Sequence, residues 1–529
     1  MLSPRRALLL SVSALCCMLG SLNARAAATF DLNEIRVDGS TVLPQEQVEE
    51  TVYPFLGPGK TAEDVEAARR ALQEAYTNAG YVTVSVAAAR WVDRPGGVIG
   101  LKVIERPVER LRVTHARYFV PDAVRAGAPS VAPGKIPNIH ELQADLLGLN
   151  QLPDRTVTPS LKPGHRPDTV DVDLVVDDKL PVHGSLEANN RYNADTHAER
   201  LSASLSYNNF FQRGDSATVT YSVAPEDVRD SEVNSASYLF HIPDSRLSVL
   251  LTYLHSNSNV VALGTTDVVG RGTTAGFRLL VPLGSTSGSN GVSFSHSFSV
   301  GWDYKRFYEL DSFSETGTFT SAPVTYYPLT ASYAASWTTA KSSTDANVSV
   351  ELGLNHAGSE INVFDNKRFD AVPGFSIVHA GVTRQQDLPY GLQAWGSLNG
   401  QITNQSLVSS EQFGLGGADS VRGYLEAEDL GDYGATLQTE LRSPDLKKYL
   451  GGPIQSWRFH IFGDTGIAQL RNPTPGQQFA FGLNSVGIGT RVNLWGYLNG
   501  SVQDAQVTSR GPNTKAGTNR VLFRVYGEF

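Results

Sequence analysis

The hydrophobic rhythm of the chain changes near residue 180. Before that point, helical and strand periods take turns. Val65, Ala68, Leu72, Ala75 and Tyr76 form one apolar stripe at helical spacing, behind Thr61 with Asp64 three residues on, the pattern of a capped helix start. Gly80 is the expected stop. Tyr81–Ala88 then reads as a strand, and a second strand over Gly97–Ile104 follows an Arg94-Pro95-Gly96-Gly97 turn. Upstream, Phe30–Val37 has a strand pattern and Pro44–Tyr53 a helical one. The order strand, helix, helix, strand, strand recurs over Val108–Val113, Pro121–Ala126, Ile139–Leu149, Thr156–Leu161 and Thr169–Val176. Two degenerate α+β modules of about 75 residues each fit, over 27–105 and 106–181.

Beyond Pro181 strict alternation takes over. Leu201, Ala203, Leu205 and Tyr207 alternate with Ser202, Ser204, Ser206 and Asn208. Val292, Phe294, Phe298, Val300, Trp302 and Tyr304 share one parity, with Ser293, Ser295, Ser297 and Ser299 on the other. A single such strand would suit a soluble sandwich equally well, so their number matters more. Eight candidates lie near 183–192, 200–211, 216–224, 233–242, 246–256, 273–282, 291–304 and 325–338. Eight more lie near 345–355, 373–384, 390–401, 432–442, 455–464, 479–492, 494–504 and 519–529. Connections such as Gln212–Asp215 and Pro243–Ser245 are tight, whereas 257–272, 356–372, 402–431 and 505–518 are long. An even strand number, short and long connections in turn, and a small polar second face predict an antiparallel barrel with a lipid-facing apolar surface. The expected fold is therefore two α+β modules followed by an all-β, 16-stranded antiparallel transmembrane β-barrel over 182–529.

Composition sharpens this picture. Arg5 and Arg6 precede an apolar run from Ala7 to Leu19, and Ala24-Arg25-Ala26 follows as a cleavage site, so residues 1–26 read as a signal peptide. Cys16 and Cys17 are the only cysteines, and both fall in this segment. A lipoprotein signal is the rival reading, but Leu15 stands where a small residue is expected. Export of residues 27–529 leaves no cysteine for a disulfide, a thiolate metal site or a nucleophile. The net charge of -9 also becomes more acidic, because three arginines leave and no acid does, which argues against nucleic acid. No run of 18 apolar residues follows the signal, so no transmembrane helix is expected.

Few motifs carry chemistry. Gly414-Leu415-Gly416 and Gly487-Ile488-Gly489 begin a dinucleotide-loop pattern, but Asp419 and Val492 stand where its third glycine belongs. Arg213-Gly214-Asp215 lies in a short turn, where Gly and Asp serve turn geometry. No nucleophile elbow, catalytic triad or helical histidine pair is present. Nothing points to catalysis, a metal, a nucleotide or another cofactor. The informative segment is the loop before the twelfth strand, where Val421 and Tyr424 flank Arg422 and Gly423 with apolar bulk. In the thirteenth strand, parity sends Trp457, Phe459 and Ile461 to lipid, and Arg458, His460, Phe462 and Asp464 to the lumen. Gly463, next to Asp464, would permit close approach. Plain readings also exist: Arg422 as an exposed surface arginine, Asp464 as a solvated carboxylate. A paired reading needs the loop to fold inward.

Val421-Arg422-Gly423-Tyr424, placed before strand twelve, with Phe462-Gly463-Asp464 in strand thirteen and two modules in front, resembles the Omp85/TpsB superfamily. Within it, the chain is most similar to two-partner-secretion transporters of the ShlB/FhaC/HecB type. The resemblance covers essentially all of residues 30–529. It implies two periplasmic POTRA domains, a sixteen-stranded outer-membrane barrel in lipid, and loop 402–431 folded into the lumen with Arg422 paired to Asp464. It implies secretion of a large β-rich, TpsA-like exoprotein (adhesin, haemolysin or contact-dependent toxin) bearing an N-terminal secretion domain. The modules would capture that chain by β-augmentation along strand edges at Tyr81, Val82, Val84 and Val86, or at Thr156 and Val157. The Arg422 pair is expected to be partly screened by pore water. Members of the type often carry a pore-plugging helix before the first module. A start at Ala27 leaves only Ala27, Ala28 and Thr29 for it, so the loop itself is expected to be the chief obstruction. Two alternatives stay open: an assembly insertase of the same superfamily, which typically has more such modules, and a passive porin or receptor barrel.

Overall fold

The computed structural model describes residues 29–308 and 323–529, apart from 195, 244, 259, 264, 265, 270, 289 and 290. The expected signal peptide, with Ala27 and Ala28, lies outside these residues. Two compact units meet after Asp178, three residues before the boundary read from the sequence.

The first unit holds both modules. Its first half runs β1 (Phe30–Leu32), β2 (Glu34–Asp38), α1 (Gln45–Val52), β3 (Gly57–Lys60), α2 (Ala62–Asn78), β4 (Ser85–Val86), β5 (Arg90–Asp93) and β6 (Val98–Ile104). Its second half runs β7 (Val108–Thr114), α3 (Pro121–Ala126), α4 (Ile139–Leu149), β8 (Arg155–Pro163) and β9 (Val170–Asp178). Helix α2 starts as its sequence dictates: the Thr61 side chain accepts from Asp64 N–H, and Thr61 N–H donates to Asp64 Oδ2 at 2.7 Å. Its stripe of Leu72 and Tyr76 packs on Val84, Val86, Leu101 and Val103. In the second half, Val124, Leu142 and Leu149 pack on Val157, Val172 and Leu174. Asn138 joins the halves. Its side chain caps α4 by accepting from His140 N–H at 2.9 Å and donates to Ala79 O at the end of α2, also at 2.9 Å.

Two expectations about this unit need correction. Phe30–Val37 is two strands, because Asn33 turns out of the ladder and donates its N–H to Gly97 O, and β1 pairs instead with β3, a Gly57-Pro58-Gly59-Lys60 segment with no strand pattern of its own. Residues 81–84 form a turn, with Val84 N–H bonded to Tyr81 O, so that strand shrinks to Ser85–Val86 before resuming at β5. The sheets are mixed: β2 runs parallel to β6, and β7 runs parallel to β9.

The second unit is a closed antiparallel barrel. Its wall begins with β10 (Val182–Asn189), β11 (Arg200–Phe210), β12 (Asp215–Val223), β13 (Glu232–His241) and β14 (Ser248–Ser256). A side hairpin of β15 (Val260–Leu263) and β16 (Thr266–Val269) stands off the wall. The wall continues through β17 (Arg271–Ser287), β18 (Ser293–Tyr308), β19 (Pro323–Tyr326) and β20 (Leu329–Thr338). Both β19 and β20 pair with β18, so they are one strand interrupted at Tyr327-Pro328. Next come β21 (Ser342–Leu352), helix α5 (Ile361–Lys367) in a long loop, β22 (Ser376–Asp387) and β23 (Gln393–Thr403). Loop 404–432 carries the short ladder of β24 (Phe413–Leu415) and β25 (Asp429–Gly431). The last wall strands are β26 (Tyr433–Arg442), β27 (Ile454–Gln469), β28 (Ala480–Leu494), β29 (Leu498–Val507) and β30 (Asn519–Glu528), with α6 (Lys447–Leu450) after β26. Counted this way, sixteen strands form the wall among the described residues, and β30 pairs with β10 to close it.

Side-chain parity decides what each face meets. Leu205, Val219, Ile461, Ile488 and Val502 are exposed on the outer surface. That surface is stable only in hydrocarbon, where a closed barrel leaves no backbone group unpaired. Ile488→Arg, at the middle of β28, is expected to cost about 2–4 kcal/mol and to reduce the heat-modifiable, inserted fraction on electrophoresis. Ser237→Arg, on the inner parity of β13, should leave that fraction unchanged.

Candidate functional site

Loop 404–432 is pressed against the inner wall, and Arg422 is its best-held residue. Arg422 donates from Nε to Asp464 Oδ2 at 2.6 Å and from Nη2 to Asp464 Oδ1 at 2.7 Å, while its backbone N–H reaches Oδ2 at 3.1 Å. Nη1 donates to Glu440 Oε1 at 2.6 Å and to Gln503 Oε1 at 3.3 Å. The guanidinium lies over the Phe462 ring, 3.7 Å from its centroid. A planar five-donor head is what such a site requires, since an ammonium could not make two parallel bonds to one carboxylate and a third to another. The side chains of Arg422 and Asp464 are 3% and 0% exposed. The expectation of water screening therefore fails: loop and wall close over the pair.

Glu440 shares the cation. It also accepts from Arg442 Nε at 2.8 Å and from Arg491 through Nη1 and Nη2, both at 2.7 Å. Three guanidiniums thus meet two carboxylates, with the partners needed to offset the cost of burying charge. Glu440, Arg442 and Arg491 went unnoticed in the sequence. The available signal was their inner parity in strands whose other face is apolar.

The rest of the tetrapeptide explains itself sterically. Val421 and Tyr424 are fully buried with Leu415, Ala468, Leu483 and Val507. The Tyr424 hydroxyl lies 2.6 Å from Ser509 O, and Arg520 Nη1 donates to Tyr424 O at 2.6 Å. Gly423 has φ +95°, and a Cβ there would sit 3.1 Å from both Ala505 Cβ and Val507 Cγ2. Both conformation and space therefore demand glycine. In the strand motif, Phe462 and Asp464 face inward, whereas Phe459 and Ile461 are exposed outside, as parity predicts. Gly463 does not provide the close approach expected of it: a Cβ there would meet only Thr439 Oγ1 at 3.8 Å. Room is made instead by Gly487 on β28, where a Cβ would fall 2.4 Å from Phe462 Cζ.

The loop has further anchors that the sequence reading missed. Near its start, Glu411 accepts from Lys305 Nζ at 2.7 Å, beside Glu351, which accepts from the same nitrogen at 2.8 Å. Near its tip, Arg191 pairs with Asp419 and, at 3.2 Å, with Glu426. At its end, fully buried Asp432 accepts from Leu407 N–H at 3.0 Å and Arg471 N–H at 2.6 Å, and pairs with Arg368 at 3.2 Å. The loop therefore bridges β18 and β21 on one side and β26 through β29 on the other.

The strand edges proposed for substrate are differently placed. Val84 and Val86 are buried in the first module's core, Tyr81 packs against it, and Val82 is exposed. Gln73 occupies the free edge there, accepting from Val86 N–H at 2.9 Å and donating to Val84 O at 2.9 Å. Val157 is buried and Thr156 exposed. Asn150 occupies that edge at one residue, accepting from Val157 N–H at 2.6 Å and donating to Val157 O at 3.1 Å. A helix amide side chain thus takes the place of an added strand in both modules. Glu109, His165 and Asp171 bring possible metal-ligand atoms within 4.8 Å of one another, but Arg110 already neutralises Asp171 at 2.7 Å.

Comparison with known proteins agrees with this layout. Residues 30–105 match the family described as POTRA domain, ShlB-type, and residues 285–492 match haemolysin secretion/activation protein ShlB/FhaC/HecB. The outer membrane transporter CdiB of Dickeya dadantii is 23% identical over 459 residues, 84% of this chain and 75% of its own. Among solved structures, CdiB from Escherichia coli superposes with a TM-score of 0.63 at 19% identity, covering 96% of this chain and 92% of that one. BamA from Haemophilus ducreyi lacking POTRA domains 1–3 gives 0.55 at 13% identity, covering 94% and 100%. These structural likenesses concern the fold.

Removing one partner from a buried, hydrogen-bonded pair costs about 3–5 kcal/mol. Arg422→Ala is therefore expected to free the loop, seen as new protease cleavage within 404–432 in outer-membrane vesicles. The wall, hydrogen-bonded independently of the loop, should stay heat-modifiable. Arg422→Lys should show intermediate cleavage, and Gly423→Val should approach the alanine variant.

Proposed function

We propose that this chain, a member of the ShlB/FhaC/HecB family in the Omp85/TpsB superfamily, is the outer-membrane translocator of a large secreted exoprotein. The reading is carried by one observation: an arginine loop held inside a closed sixteen-stranded barrel, on a chain whose residues 30–105 match a POTRA domain and are followed by a second α+β module. A porin or receptor barrel needs neither part. The transporter relatives support the same class of activity. The partner is a TpsA-like exoprotein, of the adhesin, haemolysin or contact-dependent toxin kind, captured in the periplasm by the modules and passed outward in extended form. With no nucleotide motif in the sequence, folding outside the cell gives the movement its direction.

In this reading Arg422, Asp464 and Glu440 set the position of the loop in the passage, and Phe462 with Gly487 shapes its seat. Capture by the modules does not run along Val84–Val86 or at Val157, because Gln73 and Asn150 occupy those edges. It uses backbone elsewhere on the two sheets.

Deleting the gene should remove one large protein from the culture medium and leave the outer-membrane protein pattern unchanged. The wild-type chain should restore that protein, and Arg422→Ala should restore much less of it at equal barrel abundance. An unaltered medium with depleted outer-membrane barrels would instead identify an assembly insertase.

A further inference from the structure

The lumen has two unlike walls. On β26 through β28 the inner side chains are buried under loop 404–432: Gln438 is 6% exposed, Glu440 5%, Asp464 4% and Ser485 2%. In the middle of β11 and β12 the inner side chains stay half-exposed, and they are hydroxyls, namely Ser202, Ser204, Thr220 and Ser222, with buried Arg200 at the end of the row. Register puts Ser202 opposite Ser222 and Ser204 opposite Thr220. The hydroxyls bond across the strands at 2.8 Å and 3.2 Å. Ser235 and Ser237 continue the surface on β13, opposite Thr220 and Thr218. Every polar anchor of the loop described above lands on other elements. Between this wall and the loop tip lies a polar cavity of about 480 Å³, bounded on the loop side by Asp419 and Glu426 and at its rim by Glu187, Arg191, Arg200 and Arg524.

We propose that the passage through the barrel runs along this hydroxyl wall of β11 through β13, and that an extended polypeptide slides on it. The inference rests on the translocator reading and names the surface that the passing chain touches. An extended chain presents an unpaired N–H or C=O every few ångströms on either side. A serine or threonine hydroxyl both donates and accepts, so each can be met without regard to direction or sequence. Small uncharged side chains hold no passing lysine or glutamate, and the charges at the rim are already engaged: Glu187 with Arg524, Arg191 with Asp419 and Glu426, and Arg200 with His197 O and Thr196 Oγ1. On β26 through β28 the charges are denser, and they are occupied with the loop and with one another. Arg191, by holding Asp419 and Glu426 at the loop tip, keeps the tip off the hydroxyl wall.

The absence of cysteine beyond Cys17 makes the test direct. Single variants Ser204→Cys, Thr220→Cys and Ser485→Cys of the full chain are placed in planar bilayers and exposed to a trimethylammonium methanethiosulfonate reagent, with attachment read by mass spectrometry. Modification at 204 and at 220 is expected to give a stepwise loss of conductance, and Ser485→Cys to give none. In cells treated with the same reagent, the exoprotein lost from the deletion strain should also stop appearing when the cysteine is at 204 or 220. Failure of attachment at both wall positions, attachment without loss of conductance, or an equal loss from Ser485→Cys overturns the assignment. Those failures are separable from failure of the translocator reading, which would show as a deletion strain whose medium is unchanged.

Discussion

A sheet that crosses hydrocarbon can leave no backbone group unpaired, and the whole second unit follows from that constraint. It forces the last strand back onto the first, so that β30 meets β10 from Ser185 and Glu528 to Asn189 and Arg524. It forces strict alternation, since every second residue must suit lipid. It also creates an interior that is neither core nor solvent. A barrel of this size is too wide for its own side chains to fill, so its lumen holds water or another part of the chain.

Loop 404–432 is that part, and electrostatics determines where it rests. An arginine carried into the lumen must find partners there, and Asp464, Glu440 and the Phe462 face supply them on one wall. Glu411 faces the reverse problem and is met by Lys305. Between these anchors the loop packs Leu415, Val421 and Tyr424 against small and apolar wall residues. It therefore buries the inner side chains of β26 through β28, while those in the middle of β11 and β12 stay half-exposed. That asymmetry is what the proposed passage rests on.

The modules follow a different economy. Each is a small mixed sheet backed by helices, and its exposed edge invites pairing with any extended chain. In both modules an amide side chain occupies part of that edge: Gln73 bonds Val84 and Val86, and Asn150, at the end of α4, bonds Val157. An added strand would have to displace those bonds there.

Much of this could be read from residues alone, because period is a local property. The helix stripe behind Thr61, the alternating strands, and the lumen parity of His460, Phe462 and Asp464 all follow from spacing. The tetrapeptide and the strand-thirteen motif were visible for the same reason. What depended on the tertiary structure was every quantity set by two distant segments together. Gly57–Lys60 is a strand only because β1 needs a partner. The burial of Arg422, the three-arginine cluster on Glu440, the Lys305–Glu411 anchor and the role of Gly487 in place of Gly463 join residues tens to hundreds apart in sequence. Parity can say that a side chain faces the lumen, but which other side chain waits there is decided only when the barrel closes and the loop settles inside it.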